Sequence, residues 1–350
     1  MSIKNVMEDI KKGNLKKVYL FYGEEEFLMD YSLKVIKDKY IDSGLESLNY
    51  IVFEGKDTPL DSIYNACETL PFMSQKRIVV VKDLGCFSRK KKDDGESGRL
   101  NEDEKKLASY FLTLEDYLCL IFIEKGVKVD RSKKIVKKIK EVGEIVEYTK
   151  LKGIELNSWI EKIFKKYGKI ISKTNINYFV QYSSYFDSNS NKTLYDLENE
   201  IIKICNYLGE KIEVQKEDID RVMTKSLETN IFRLLDSIAQ KDVNNSLRIL
   251  NEMIISNEPT QLILYMIIRQ LRLILVSKLL KEKGYDNKSS IEKLKISEYE
   301  FKKISNQSFN FTIPKMEEAL NHCLETDKNV KNGIVDNKLA LEMLLISLCN

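Results

Sequence analysis

Val18-Tyr19-Leu20-Phe21-Tyr22-Gly23-Glu24-Glu25-Glu26-Phe27-Leu28-Met29-Asp30 decides the fold. An apolar run ending in glycine and leading into a helical pattern is how a strand, a phosphate-binding loop and a helix are written in nucleotide-binding α/β domains. Counting the GxxxxGK[ST] spacing from Gly23 puts Leu28, Met29 and Asp30 where Gly, Lys and Ser/Thr belong. Glu24, Glu25 and Glu26 fill the turn. They suit the positive end of a helix dipole and repel an anionic ligand. The element therefore reads as a nucleotide-binding shape without nucleotide-binding chemistry, and no cofactor, metal or catalytic residue is expected.

Outward from this stretch, short β-branched runs alternate with helical patterns. The runs are 18–22, 50–53, 78–81, 117–123 and 145–148; the helical patterns lie near 25–40, 59–69, 103–112 and 131–141. Continuous apolar runs separated by helices predict a mostly parallel sheet covered on both faces. Residues 88–105, including Arg89-Lys90-Lys91-Lys92-Asp93-Asp94, read as a polar surface loop. After Thr149 no strands are expected. Helices are predicted over 153–168, 174–185 and 190–208, then, beyond the polar segment Glu210 to Asp218, over 228–240, 242–256, 259–283, 297–306, 313–330 and 334–349, with Gly284, Pro314 and Gly333 as punctuation. The expected division is 1–149 α/β, 150–212 small helical and 213–350 all-helical.

The 350 residues, 43% hydrophobic, supply core for two or three domains. Fifty-seven basic and 54 acidic residues give a net charge of +3, so charge alone neither requires nor excludes nucleic acid. The six cysteines, at 67, 86, 119, 205, 323 and 349, form no CxxC pair and read as buried or incidental thiols in a reducing cytoplasm. The single histidine, His322, sits in a helical pattern and reads as structural, which argues against metal centres and histidine triads. Residues 1–19 lack a signal-peptide core, and the apolar stretch 262–268 is stopped by Arg269, Gln270 and Arg272, short of the roughly 20 residues needed to span a bilayer. No membrane partner is expected.

The sharpest binding candidate is Leu70-Pro71-Phe72-Met73, an apolar cluster in a helix-to-strand connection, where polar residues are the rule. Exposed, Leu70 and Phe72 would form a compact anchor for an apolar pocket; alternatively they cap the edge of the sheet. The segment 131–140 sets lysines around an Ile/Val stripe. It reads as a solvated amphipathic face or, less simply, as a phosphate contact. Helix 260–283 is apolar nearly all round in its first half, as in a buried core or a subunit interface.

Tyr19 to Leu28, then Leu70-Pro71-Phe72-Met73-Ser74-Gln75-Lys76-Arg77-Ile78-Val79-Val80-Val81-Lys82, then Asn230-Ile231-Phe232-Arg233-Leu234-Leu235-Asp236, and Arg269-Gln270-Leu271-Arg272 follow one another in an order that resembles the delta subunits of bacterial DNA polymerase III clamp loaders over essentially the whole chain. The resemblance implies an AAA+-like domain without ATPase function, a three-helix lid and a C-terminal helical collar. It implies a subunit that binds and opens the ring-shaped sliding clamp (beta) through Leu70, Pro71, Phe72 and Met73, with Phe72 the best-matched anchor. Its partners would be the tau/gamma ATPase subunits, delta-prime and, within the assembled complex, primer-template DNA. Polymerase activity would belong to the whole cytoplasmic, nucleoid-associated replication complex. Two other classes stay open at this point: an active P-loop ATPase or nucleotide switch, and a stand-alone DNA-binding protein.

Overall fold

The five apolar runs form one parallel sheet: those from Val18, Ile78 and Leu118 are buried on both sides and fit only between two layers of helix, while those from Tyr50 and Ile145 are partly exposed. In the computed structural model, which describes residues 3–55, 58–88, 97–126, 128–187, 191–223 and 227–350, the strands are β1 (Val18–Gly23), β2 (Tyr50–Glu54), β3 (Arg77–Lys82), β4 (Leu118–Lys125) and β5 (Glu144–Tyr148). Their order is β2-β3-β4-β1-β5 and every pairing is parallel. Successive side chains of β1 point to opposite faces. Val18, Leu20 and Tyr22 join the core shared with helices Leu60–Glu68, Ser97–Tyr110 and Lys134–Val142 through Ile63, Leu107, Phe111, Ile135 and Ile139. On the other face Phe21 lies 5.5 Å from the ring of Tyr19 and 5.2 Å, edge-on, from that of Tyr148.

The described residues divide into two compact units. The first is Met1–Gly153 with Thr193–Tyr195; the second is Ile154–Lys192 with Asp196–Asn350.

In the second unit, helices Gly153–Lys166, Lys173–Tyr182 and Leu194–Leu208 bury Ile160, Phe164, Phe179, Leu197 and Ile201, with the rings of Phe164 and Phe179 packed edge to face at 6.0 Å. Contrary to expectation, two strands do follow Thr149. Ile170–Ile171 and Glu213–Val214 pair in parallel, beside a hydrogen bond from Ile170 N–H to the Ile212 carbonyl. Two-residue strands carry no periodic signal, so the sequence pattern cannot register them. Seven further helices follow Met223: Leu227–Ala239, Val243–Ile255, Thr260–Glu282, Asn287–Leu294, Glu298–Ser308, Ile313–Lys331 and Asn337–Cys349. Their common core includes Leu234, Leu235, Leu250, Ile267, Leu271, Met316 and Leu345.

Other differences are local. Helices Ile3–Lys12, Glu46–Asn49, Lys216–Val222, which begins inside the polar segment 210–218, and Asn287–Leu294 were not expected. The segment read as a loop over 88–105 is helical from Ser97; its residues 89–96, with the basic run, lie outside the described residues. The buried anchors Leu107 and Phe111 hold that helix, and once a helix is nucleated each added residue costs little. The basic helix begins at Lys134, because the Asp130 carboxylate accepts from the N–H and hydroxyl of Ser132 and holds the preceding residues in a turn. No described helix is long and apolar enough to cross a membrane.

Candidate functional site

The connection between helix Leu60–Glu68 and β3 enters the sheet at the amino end of a strand. Gly23 lies at the carboxyl end of β1, and in a parallel sheet these are opposite ends. Thr69 and Arg77 bracket the connection. The Thr69 hydroxyl donates to the Asn65 carbonyl at 2.7 Å, and the buried Arg77 guanidinium donates to the carbonyls of Ala66 and of Leu48, the latter at 2.8 Å. Between these ties the apolar residues turn outward: Leu70 is 69% exposed, Phe72 54% and Met73 77%. Pro71 is half-buried, and Met73 adopts a left-handed backbone (φ 49°) that reverses the chain. The alternative of an edge cap for Leu70 and Phe72 does not describe this arrangement.

Phe72 is held by its backbone. Its N–H donates to Asn49 Oδ1 at 2.7 Å, and its carbonyl accepts from Asn49 Nδ2 at 2.8 Å. The same amide donates to Ser74 Oγ at 3.1 Å and the Leu45 carbonyl at 3.3 Å, and Asn49 is fully buried. Sequence reasoning missed Asn49. The one available signal was an Asn directly before a β-branched run, which reads as an ordinary turn residue.

At the other end of the sheet the phosphate-loop position is occupied by the protein itself. The N–H groups of Glu24 and Glu25, where backbone donors would cradle a phosphate, both donate to the Tyr148 carbonyl, at 2.9 and 3.1 Å. Gly23, at φ 130°, allows this contact: a Cβ there would lie 2.2 Å from the Tyr148 oxygen. Met29, at the lysine position, is buried in the core. Glu25 is fully buried, and its carboxylate accepts from the Leu194 N–H at 2.9 Å, in the Thr193–Tyr195 segment that packs with this unit.

The lysine-rich helix presents Lys134, Lys137 and Lys140 to solvent over buried Ile135, Val136 and Ile139, while Lys138 pairs with Glu141 at 2.6 Å. Lys133 is enclosed instead, donating to the Cys86 carbonyl and lying 3.3 Å from Glu104.

In the helical block, Gln270, buried on Thr260–Glu282, donates to Gln307 Oε1 at 3.0 Å. Gln307 donates to the Phe232 carbonyl at 2.8 Å and to Asp236 at 2.7 Å. Arg269 pairs with Glu300 at 2.7 Å. Two stretches quoted above, 230–236 and 269–272, thus meet through one polar network. Leu262 and Tyr265 face outward, so this helix is not buried all round. Nearby, Lys303 lies 4.0 Å from Asp187 and over the rings of Tyr299 and Phe232. Burial raises the Glu228 carboxyl to about 7; Asp187 and Glu300 add to the shift, and Lys303 and Arg269 oppose it. All six cysteines are buried and free, with burial pushing each thiol up, Cys67 and Cys323 to about 12. His322 sits 3.9 Å from Glu318 on its own helix. No cluster of three potential metal ligands occurs among the described residues.

A five-stranded parallel sheet with a phosphate-loop turn closed by its own backbone, continued by helical bundles, defines an AAA+-like α/β protein with an all-helical C-terminal region. A family described as DNA polymerase III, delta subunit, matches residues 19–149, and one described as the C-terminal domain of that subunit matches residues 228–348. The chain belongs to the DNA polymerase III delta-subunit family. It is 27% identical over 344 residues to the DNA polymerase III subunit delta of Bacillus subtilis, covering 98% of this chain and 96% of that one. It is 25% identical over 286 residues to the "Probable DNA polymerase III subunit delta" of Aquifex aeolicus, covering 80% and 76%. The solved Bacillus subtilis DNA clamp loader delta protein superimposes with a TM-score of 0.61 at 27% identity, covering 99% of each chain.

Proposed function

We propose that this chain is the non-catalytic clamp-loader subunit that binds the sliding clamp and holds it open for loading onto primed DNA during chromosomal replication. The observation that carries the reading is the outward presentation of Leu70, Phe72 and Met73 from a connection tied down on both sides. Each anchor, buried in an apolar pocket of the clamp, would contribute on the order of 2–4 kcal/mol. Opening follows if the pocket accepts the anchors better in a clamp whose nearby subunit interface is loosened, since a ligand shifts an equilibrium only by its differential affinity. Helix Glu26–Tyr40 is a second surface that would press on the clamp.

The chain would have no activity of its own. Engagement of the Glu24 and Glu25 N–H groups by Tyr148 supports leaving ATP hydrolysis to sibling subunits. In this reading residues 1–149 engage the clamp, 150–212 form the lid and 213–350 the collar that meets the tau/gamma ATPases and delta-prime. Lys134, Lys137 and Lys140 are the residues here that would touch primer-template DNA inside the assembled complex. The polymerase activity is that of the cytoplasmic, nucleoid-associated holoenzyme.

The test is binding of the purified chain to the sliding clamp of the same bacterium, with a Leu70→Ala/Phe72→Ala variant of unchanged melting temperature beside it. Binding lost only in the variant is the expected result. Absence of binding by the wild-type chain overturns the reading, and equal binding by both moves the site elsewhere.

A further inference from the structure

We infer that Asn49 is the positioning residue of the Leu70–Met73 element: its buried side-chain amide grips the backbone of Phe72 and thereby sets the Phe72 ring in its outward, binding-ready pose. The inference rests on the reading that this element docks on the sliding clamp, and it adds how the site is kept in shape before the clamp arrives.

The geometry is specific. A planar primary amide carries a donor and an acceptor side by side, and Asn49 uses both on one residue, accepting from Phe72 N–H at 2.7 Å and donating to Phe72 C=O at 2.8 Å. It stands in for the neighbouring strand that this segment lacks. Among the described residues, no backbone-to-backbone hydrogen bond holds Leu70 to Lys76. The bond to Ser74 Oγ extends the grip across Met73, whose left-handed backbone makes the reversal between the two. Asn49 is fully buried, so water does not compete for these bonds. It is also anchored from behind, by the Leu45 carbonyl and by its place between the helical turn Glu46–Asn49 and the start of β2.

Holding an apolar loop outward has a functional reading because a free loop would fold its Leu and Phe back or sample many conformations, and ordering it again would be charged against binding. Without the Asn49 amide, clamp affinity is expected to fall between about tenfold and a hundredfold. Asn49→Asp keeps the acceptor for Phe72 N–H, loses both donors and sets a negative charge beside the Phe72 carbonyl, so it should lose comparable affinity.

The test is a double-mutant cycle on the full chain, with the sliding clamp of the same bacterium as probe. Wild type, Asn49→Ala, Phe72→Ala and the double variant are titrated at clamp concentrations that saturate the weakest of them. The expected result is weaker binding by an Asn49→Ala chain that still folds, its melting temperature lowered by the loss of buried hydrogen bonds, and little further loss when Asn49→Ala is added to Phe72→Ala, because the amide acts through that ring. Wild-type affinity in Asn49→Ala, or equal losses in both backgrounds, overturns the inference while leaving the clamp as partner. If Asn49→Ala does not fold, Ser74→Ala, which removes only the outer bond of the same grip, replaces it in the same cycle with a smaller loss expected. If wild type does not bind the clamp, the proposed function fails, and amide hydrogen exchange on the free chain decides the role of Asn49. Slow exchange at Phe72 that becomes fast in Asn49→Ala supports positioning, and unchanged exchange overturns it.

Discussion

The carbonyl oxygen of Tyr148, the last residue of β5, accepts hydrogen bonds from the N–H groups of both Glu24 and Glu25, 2.9 and 3.1 Å away. A phosphate would have to displace this carbonyl, with buried Met29 at the lysine position and the neighbouring Lys125 already paired with Glu26 at 2.9 Å. Millimolar Mg-ATP is therefore expected to leave the melting temperature of the isolated chain unchanged, and Met29→Lys alone should not create binding, because the backbone donors stay engaged. Differential scanning fluorimetry with and without nucleotide checks both; a nucleotide-dependent rise in either protein refutes the account.

Gly23 makes that closure possible. Gly23→Ala should cost at least about 2 kcal/mol, since the new methyl would meet the Tyr148 carbonyl at 2.2 Å on a backbone at φ 130°. Urea unfolding gives the number. A loss within about 0.5 kcal/mol would mean the turn can relax at little cost.

Glu228 gives the second unit a pH dependence of known sign. Its folded pKa of about 7 lies above its ordinary value of 4.5, so between these pH values the folded chain binds more protons than the unfolded chain. This residue's contribution is neutral below about pH 4.5, becomes increasingly unfavourable as pH rises and is fully unfavourable above about pH 7. Glu228→Gln should remove that slope, gaining stability over wild type at pH 8 relative to pH 5. Parallel urea titrations at the two pH values test it, and equal differences at both would show that burial does not raise this carboxyl.

Gln307 joins Gln270, Phe232 and Asp236, so Gln307→Leu strands the buried Gln270 amide and takes a donor from Asp236. The expected loss is about 2–3 kcal/mol, and Gln270→Leu added to Gln307→Leu should recover part of it, since removing both partners is milder than orphaning one. Chemical denaturation of the two variants distinguishes this from simple loss of packing, in which the losses would add.

Much of this fold is written in the sequence itself. The runs from Val18, Ile78 and Leu118 are buried on both faces, and such strands advertise themselves as unbroken apolar stretches. Leu70-Pro71-Phe72 stood out because apolar residues in a connection violate the usual polarity of loops. Strands Ile170–Ile171 and Glu213–Val214 were hidden because two residues cannot show a period. Asn49 was hidden for a different reason: its importance lies in a bond to a residue 23 positions later, and nothing in its own neighbourhood records that. Glu25 was read as a helix-start acid when it is a buried acceptor, a distinction that only tertiary contact supplies.

Burial of all six thiols has a practical side. With each cysteine enclosed and its thiolate form disfavoured, the chain as it stands is nearly silent to maleimides under native conditions. Gln75→Cys, on the exposed turn beside Phe72, would therefore become the one readily labelled position, and a fluorophore there would report on events at the candidate surface without a prior campaign of cysteine removal.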